Sequence, residues 1–416
     1  MVTKAIEKTY WTDINQVPKQ YPWLTDNLEC EIAIVGGGVT ASLCALKFAG
    51  AGLDTIMLSA SPIGFGGTAA SGGMMSVDGE QCIATLVDKI GADRAMMATQ
   101  MLSEALNNIE ALCGSFDQDC GFRRMDSLRY AEDIRNAEIL RREYSLRLHN
   151  GINVQLLTNL NSGEHFTFPM EAGVYSEGMA AQLDPYSFAH AATNAAVNQG
   201  VRVFENTSVN AFHKEDDGYM TLKCDRERQV RSKYVIVATG LDTQQHCGGM
   251  DKSVTVCTIV TQPIDEFSGW RGPCQIRSQG SPSTFLTVTP DSRILMGGIT
   301  GFSILESSYV SRMLDMIPLN EKRYEQLEKR LRTMFPAIRN MNVEYVYASK
   351  NGRTDDGLPV LGRKPEEDKI AYALCCGDDG LLYSEIASRL LLEQYQGKSN
   401  QQLGLFSPGR EWRLKH

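Results

Sequence analysis

Apolar and β-branched residues run together at 31–35, "EIAIV", and stop at three glycines, Gly36, Gly37 and Gly38. Beyond them apolar positions recur at three- and four-residue spacing as far as Gly50 and Gly52, and "LDTIMLS" then resumes a strand-like run. The order is strand, turn, helix, strand: a βαβ unit of about 30 residues. Helical spacing returns over 84–113 and 132–149, without proline in either stretch, and these helices are expected to pack on a second domain. A further helix is expected over 185–200, capped by Asp184 with Pro185 in its first turn, and a charged amphipathic one over 320–335. Residues 201–240 break into short strands separated by turn residues, and the last, "YVIVATG", is as apolar as a buried parallel strand. Residues 254–302 alternate strand-like runs with Pro, Gly and Ser turns.

At 416 residues the chain exceeds the roughly 250–300 at which a single core stops growing, so two domains are expected. Hydrophobic residues at 43% and charged ones at 22% fit an ordinary globular protein. With a formal net charge of -9 and no lysine–arginine block, a nucleic acid or an anionic membrane has no electrostatic support as a partner; small molecules do. The first 23 residues contain no signal-like apolar run, and no window approaches the roughly 18 apolar residues of a spanning helix, so a cytoplasmic location is expected. The 11 cysteines show no CxxC pairs and the 6 histidines no metal-like spacing, which argues against a disulfide framework and against a metal site.

The turn after the first strand reads G-x-G-x-x-A. Gly36 permits the tight turn, Gly38 lets the backbone approach a pyrophosphate, and Ala41 is small enough for the helix to pack close to the strand. The helix N-terminus then offers unpaired N–H groups to phosphate oxygens.

Further stretches in the same order carry a family resemblance: "IGFGGTAASGGMMS" (63–76), "AAQLDPYSFAHAATNAAVNQGVRVFENTSV" (180–209), "YVIVATG" (234–240), "TDDGLPVLG" (354–362) and "YALCCGDDGLLYSEIASRLL" (372–391). Together with the glycine turn they resemble the D-amino-acid oxidase (DAO) superfamily of FAD enzymes, from about Tyr10 to Arg410. That group includes glycine oxidase, sarcosine oxidase and gamma-glutamylputrescine oxidoreductase. "YWTDINQVP" most resembles the last of these, and "AASGGMM" resembles glycine oxidase.

The resemblance implies an α/β fold: a Rossmann-like FAD-binding domain with a doubly wound, mostly parallel sheet, and a second α+β substrate domain on an antiparallel sheet. The FAD domain is expected to be discontinuous (28–83, 171–250 and 340–416), the substrate domain to hold 84–170 and 251–339, and 1–27 to form an N-terminal extension. FAD is the implied cofactor. Ser59 and Ala60 would lie at the adenosine ribose, and Gly67, Thr68, Ala70, Ser71, Gly73 and Met74 along the pyrophosphate and flavin ring. The backbone of Val209 would hold the adenine, and Gly240 would let the chain pass the phosphates. Asp356, Gly357 and Leu358, with Gly377, Asp378, Asp379, Gly380 and Leu381, would close over the isoalloxazine and ribityl chain.

Three departures from the family pattern bear on chemistry. Ser59 stands where a glutamate usually accepts both ribose hydroxyls; a charge-assisted bond is worth about 1.5–3 kcal/mol, so its loss costs roughly ten- to hundredfold in affinity. "CCGDDG" replaces a "GHGGNG"-like turn, which puts Cys376 at the histidine position and adds the charges of Asp378 and Asp379 beside the flavin. Asn351 occupies the position of the arginine that usually grips the substrate carboxylate, flanked by Lys350 and Arg353. Asn351 and Cys376 are thus the candidate catalytic positions. The added negative charge and the missing arginine favour a cationic amine, its acid group remote or absent, over an α-amino acid.

The expected activity is FAD-dependent oxidation of a C–N bond in an amine or amino-acid derivative, with hydride transfer to flavin and hydrolysis of the imine. Oxygen or a partner protein would take the electrons. The alternative is a non-catalytic or partner-dependent flavoprotein subunit whose altered flavin motifs record lost chemistry.

Overall fold

The computed structural model describes residues 8–243, 252–272, 274–280, 283–299, 318–338, 341–375 and 377–410. The chain is organised around two sheets. In the first, β1 (Leu28–Val35), β2 (Thr55–Leu58), β7 (Arg202–Phe204), β10 (Gln229–Val237) and β17 (Ile370–Leu374) run parallel in the order β17-β10-β1-β2-β7. An antiparallel strand, β16 (Val360–Arg363), flanks β17, and the hairpin of β8 (Val209–Lys214) and β9 (Met220–Cys224) joins β10.

Helices α2 (Val39–Gly50), α6 (Pro185–Asn198) and α8 (Gly380–Tyr395) cover one face of this sheet, burying Leu43, Phe48, Phe188 and Ile386 over Ile32 and Ile34. As the sequence indicates, α6 is capped by Asp184, whose carboxylate accepts from Tyr186 N and Ser187 N, with Pro185 in the first turn.

The helical stretch expected over 84–113 is two helices, α3 (Ile83–Ile90) and α4 (Ala92–Ser115). They break at Gly91, whose φ of +86° is open to glycine and strained for residues with a side chain. Apolar periodicity continues across the break, which hides it from a pattern reading. Contrary to expectation, α4 shares the core of the parallel sheet's helices: Ala98, Leu102, Ala105 and Ile109 form a stripe at helical spacing within it. Helix α5 (Ile134–His149) instead packs Ala137 and Leu140 on Ala131 and Val174 of the second sheet.

The second sheet holds β3 (Met74–Ser76), β4 (Arg123–Ala131), β5 (Gln155–Leu157), β6 (Ala172–Gln182), β11 (Lys252–Thr261), β12 (Cys274–Ser278), β13 (Thr284–Val288), β14 (Ile294–Ile299) and β15 (Val343–Arg353). Its order is β15-β11-β14-β13-β12-β4-β6-β3, with β5 paired to β6, and it is antiparallel except between β12 and β4. Period-2 alternation gives it two unlike faces. One carries Leu128, Tyr130, Ile276 and Met296 under Leu327 and Leu331 of α7 (Pro318–Met334). Among the residues of β4 and β12 on the other are Ser127, Arg129, Gln275 and Arg277, paired Gln275↔Ser127 and Arg277↔Arg129, all buried and all polar. Apolar packing anchors the sheet, so its opposite face is free to carry chemistry.

The N-terminal segment bridges both sheets. Tyr10 and Trp11, in the short helix α1 (Tyr10–Ile14), are buried with Ala69, Tyr186, Leu295 and Tyr345. The Tyr10 hydroxyl donates to Asp291 between β13 and β14, the Tyr345 hydroxyl to Asp13, and Asn15 to the Asp184 cap. Among the described residues no helix is long and apolar enough to cross a membrane.

Candidate active site

A cavity of about 620 Å³ runs from the glycine turn to the second sheet. Gly36 has φ +139°, and a Cβ there would lie 2.2 Å from the carbonyl oxygen of Ala238, the residue that follows β10. Ala41 is fully buried behind it, as close helix–strand packing requires. Gly38 is the N-cap of α2 and has no side chain of its own to cap it. Val39 N donates to Thr68 Oγ1 at 3.0 Å, and a Cβ on Gly38 would stand 2.9 Å from that oxygen. The first N–H groups of a helix have no partner within it, so this end suits an anion.

Ser59, Ala60, Val209 and Gly240, the residues expected around the adenosine, all line the cavity. Ser59 is 2% exposed, and its hydroxyl donates to Ser61 O at 2.6 Å. What it still offers a ribose is a neutral acceptor. One strand over, the buried Glu205 accepts from Ile63 N at 2.7 Å and Tyr21 N at 3.0 Å.

Gly67, Thr68, Ala70, Ser71 and Met74 line the middle of the cavity. Gly73 does not; its φ of +65° turns the chain beneath Leu183, whose carbonyl oxygen would lie 2.1 Å from a Cβ. The Trp11 indole N–H donates to Ser71 O at 2.7 Å, fixing this loop from behind.

At the far end Asn351, Gly377, Asp378, Gly380 and Leu381 line the cavity, joined by Lys350 and Cys375. Cys376 lies outside the described residues. Asp356, Gly357, Leu358 and Asp379 stand behind the lining. Asp356 is held by Arg410 through two bonds of 2.6 and 2.8 Å, Gly357 packs on Gln81, and Leu358 is in the core. Burial opposes ionisation of Asp356, but the Arg410 guanidinium outweighs it and holds the carboxyl below the usual carboxylate range.

Sequence reasoning passed over Val256, Thr258, Arg277 and Phe285, which also line the cavity. Phe285 lies flat because its β14 neighbour is Gly297, where a Cβ would come within 2.1 Å of the ring. The one available signal was an arginine inside the otherwise strand-like "CQIRS".

Arg277 also revises the expected charge of the turn at 377–380. Its Nη1 donates to Asp378 at 2.8 Å, and Nη2 lies 3.8 Å from Asp379. Asp379 also accepts from Glu80 N, while Arg353 pairs with Glu80 at 2.7 Å. Three carboxylates therefore face Arg277, Arg353 and the neighbouring Arg129, and the turn presents no surplus negative charge to a ligand. Burial, reinforced by the Asp378 charge, pushes Glu80 up to about 7; burial likewise pushes Asp379 up to about 6 against the pull of Arg277.

A helix N-terminus at a glycine turn, a neutral acceptor at Ser59 and a long cavity closed by a second sheet fit an FAD, and the fold and site define a flavin-dependent oxidoreductase. Residues 31–394 match the family described as FAD dependent oxidoreductase, DAO, and the chain belongs to that family. Its relatives include the probable oxidoreductase OrdL of Haemophilus influenzae, 22% identical over 96% of this chain and 90% of that protein. The gamma-glutamylputrescine oxidoreductase of Escherichia coli is 23% identical over 90% of this chain and 85% of its own. Among solved structures, glycine oxidase from Geobacillus kaustophilus superposes with a TM-score of 0.74 at 19% identity, covering 92% of this chain and 100% of that one.

Proposed function

We propose that the protein oxidises a C–N bond in an amine or amino-acid derivative, giving an imine that water hydrolyses. The observation that carries this reading is one continuous cavity joining the glycine turn to a wall built from Val256, Thr258, Phe285 and Asn351. FAD, when bound, supplies the hydride acceptor. The protein's share is binding and placement: the α2 N-terminus holds the pyrophosphate, Thr68 and Ser71 shape the middle, and Phe285 and Val256 exclude water from the reacting carbon. The Asn351 amide offers a neutral donor and acceptor to the substrate. Names borne by the relatives, which include amine and glycine oxidoreductases, agree with this chemistry. Oxygen or a partner protein reoxidises the flavin.

The test is anaerobic mixing of the FAD-loaded protein with a panel of amines and amino acids, read by loss of flavin absorbance. Bleaching is expected, at a rate that rises with pH toward the pKa of the bound amine, because only the neutral amine gives up hydride. A protein that carries FAD and bleaches with none of them would rule the reading out in favour of a non-catalytic flavoprotein.

A further inference from the structure

On the α7 side of the second sheet a hollow of about 580 Å³ lies between that helix and the chain leading into β6. Its floor is apolar: Phe168, Met170 and Met334 line it, and all three belong to the buried core that α7 covers. Its rim is charged, with Glu132, Glu171, Lys329 and Arg330 all lining it. Arg330 uses one nitrogen, Nη2, for both the Tyr130 hydroxyl at 2.9 Å and Glu132 at 3.0 Å. Its Nη1 and the Lys329 ammonium have no partner among the described residues.

Beside this hollow stand the two most exposed large apolar side chains among the described residues. Leu160, 97% exposed, follows the lining residue Asn159, and Ile134, 70% exposed, comes two positions after Glu132. Leu160 is not on a loose tip. Asn161 N donates to Thr158 O at 3.1 Å, Thr158 N donates to the Asn161 side chain at 2.7 Å, and the Asn159 amide donates to Glu171 at 3.2 Å. A closed turn fastened to the rim therefore holds the leucine out in solvent. Single exposed apolar residues are ordinary on a protein surface; two that flank an apolar hollow mark an interaction site.

We propose that this patch is the interface between two copies of the chain, joined about a two-fold axis so that Leu160 of each copy enters the hollow of the other. A projecting side chain and a hollow lie side by side, which a self-complementary contact requires, because each copy must offer both halves. The rim carries two carboxylates and two cations, so a copy of the same surface meets it without net repulsion, and Lys329 can face the partner's Glu171. A small molecule in the hollow would leave Leu160 and Ile134 in water. The interface goes beyond the oxidation chemistry and does not depend on it, since it uses none of the residues that line the flavin cavity.

The test is sedimentation equilibrium on the full chain loaded with FAD, with loading checked by the visible spectrum. A dimer is expected in the micromolar range. Leu160→Asp is expected to raise its dissociation constant roughly hundredfold or more, because one substitution removes two buried leucines from each dimer, while FAD loading stays unchanged. Lys329→Glu and Glu171→Lys should each weaken the dimer severalfold, and the two together should restore it, which damage to α7 alone would not do. A chain that stays monomeric across the micromolar range would overturn the proposal. So would a dimer or larger assembly that Leu160→Asp leaves intact, or a double charge reversal that associates no better than either single one.

Discussion

Asp78 and Glu80 are two residues apart on one segment, both are largely enclosed, and they titrate in opposite directions. For Asp78, burial favours the neutral acid, but Arg147, the Ser127 hydroxyl and Arg129 outweigh it and hold the carboxyl below the usual range. Its network is closed: Arg147 bonds Asp78 and Ser176 and pairs with Glu143 at 2.6 Å, while the other Glu143 oxygen accepts from Ala84 N at 2.7 Å. Glu80 lies behind the 377–380 turn, where carboxylates crowd Arg277 and leave Arg277 Nε and Asp379 Oδ1 without hydrogen-bond partners. Both are largely withdrawn from solvent, so what separates them is charge: guanidiniums outweigh burial at Asp78, and the like charges of Asp378 and Asp379 add to it at Glu80. The closed network belongs to the fold; the open one, at the cavity wall, belongs to the site.

Cutting the closed network gives the largest effect. Arg147→Met strands two buried carboxylates and is expected to cost about 3–5 kcal/mol in denaturant unfolding. Arg277→Met, which leaves Asp379 and Glu80 free to hold protons, should cost less than half of that. Equal losses would erase the distinction between the two networks.

Glu80→Gln tests the open network through pH. A carboxyl raised from 4.5 to about 7 in the folded protein contributes stability that is complete below pH 4.5 and lost as pH rises through 7. The amide escapes that loss. The variant should match the parent near pH 4 and exceed it by on the order of 1–3 kcal/mol at pH 8, measured as unfolding free energy across that range. A gain that grows toward low pH instead would mean that Glu80 is ionised and well paired.

Ser127→Ala removes one neutral donor from Asp78 and should cost about 1–2 kcal/mol, with little change in FAD affinity. The smallest effect is expected at the ribose end. Ser59→Glu adds a charged acceptor but sets it beside Glu205, whose oxygens are already satisfied by backbone amides. FAD binding should tighten by at most about 1.5 kcal/mol, the low end for a charge-assisted bond. A weaker dissociation constant would show that repulsion from Glu205 dominates.

The glycine-turn end of the cavity was legible as structure because its signals are local. Gly36, Gly38 and Ala41 act within one turn, and the Asp184–Pro185 cap reports its helix within three residues. The opposite end was not, because its meaning lies in pairs. Asp378 and Asp379 read as surplus negative charge, since a sequence displays a charge and not the Arg277 that meets it 101 residues away. Arg277 depends on which face of β12 is turned to the cavity, and that depends on pairing with β4. Gly91 is an intermediate case: a glycine inside a helical pattern is visible, but the sign of its φ is not.

The strap formed by Tyr10, Trp11 and Asp13 has a consequence for the order in which the molecule is assembled. Its docking partners Asp291 and Tyr345 lie 281 and 332 residues further along. Contacts of that span form late, once most of the chain is available and loop closure has been met by other structure. Until then the loop carrying Ser71 lacks the indole that holds it. The support behind the cavity therefore depends on contacts that the chain is expected to complete last.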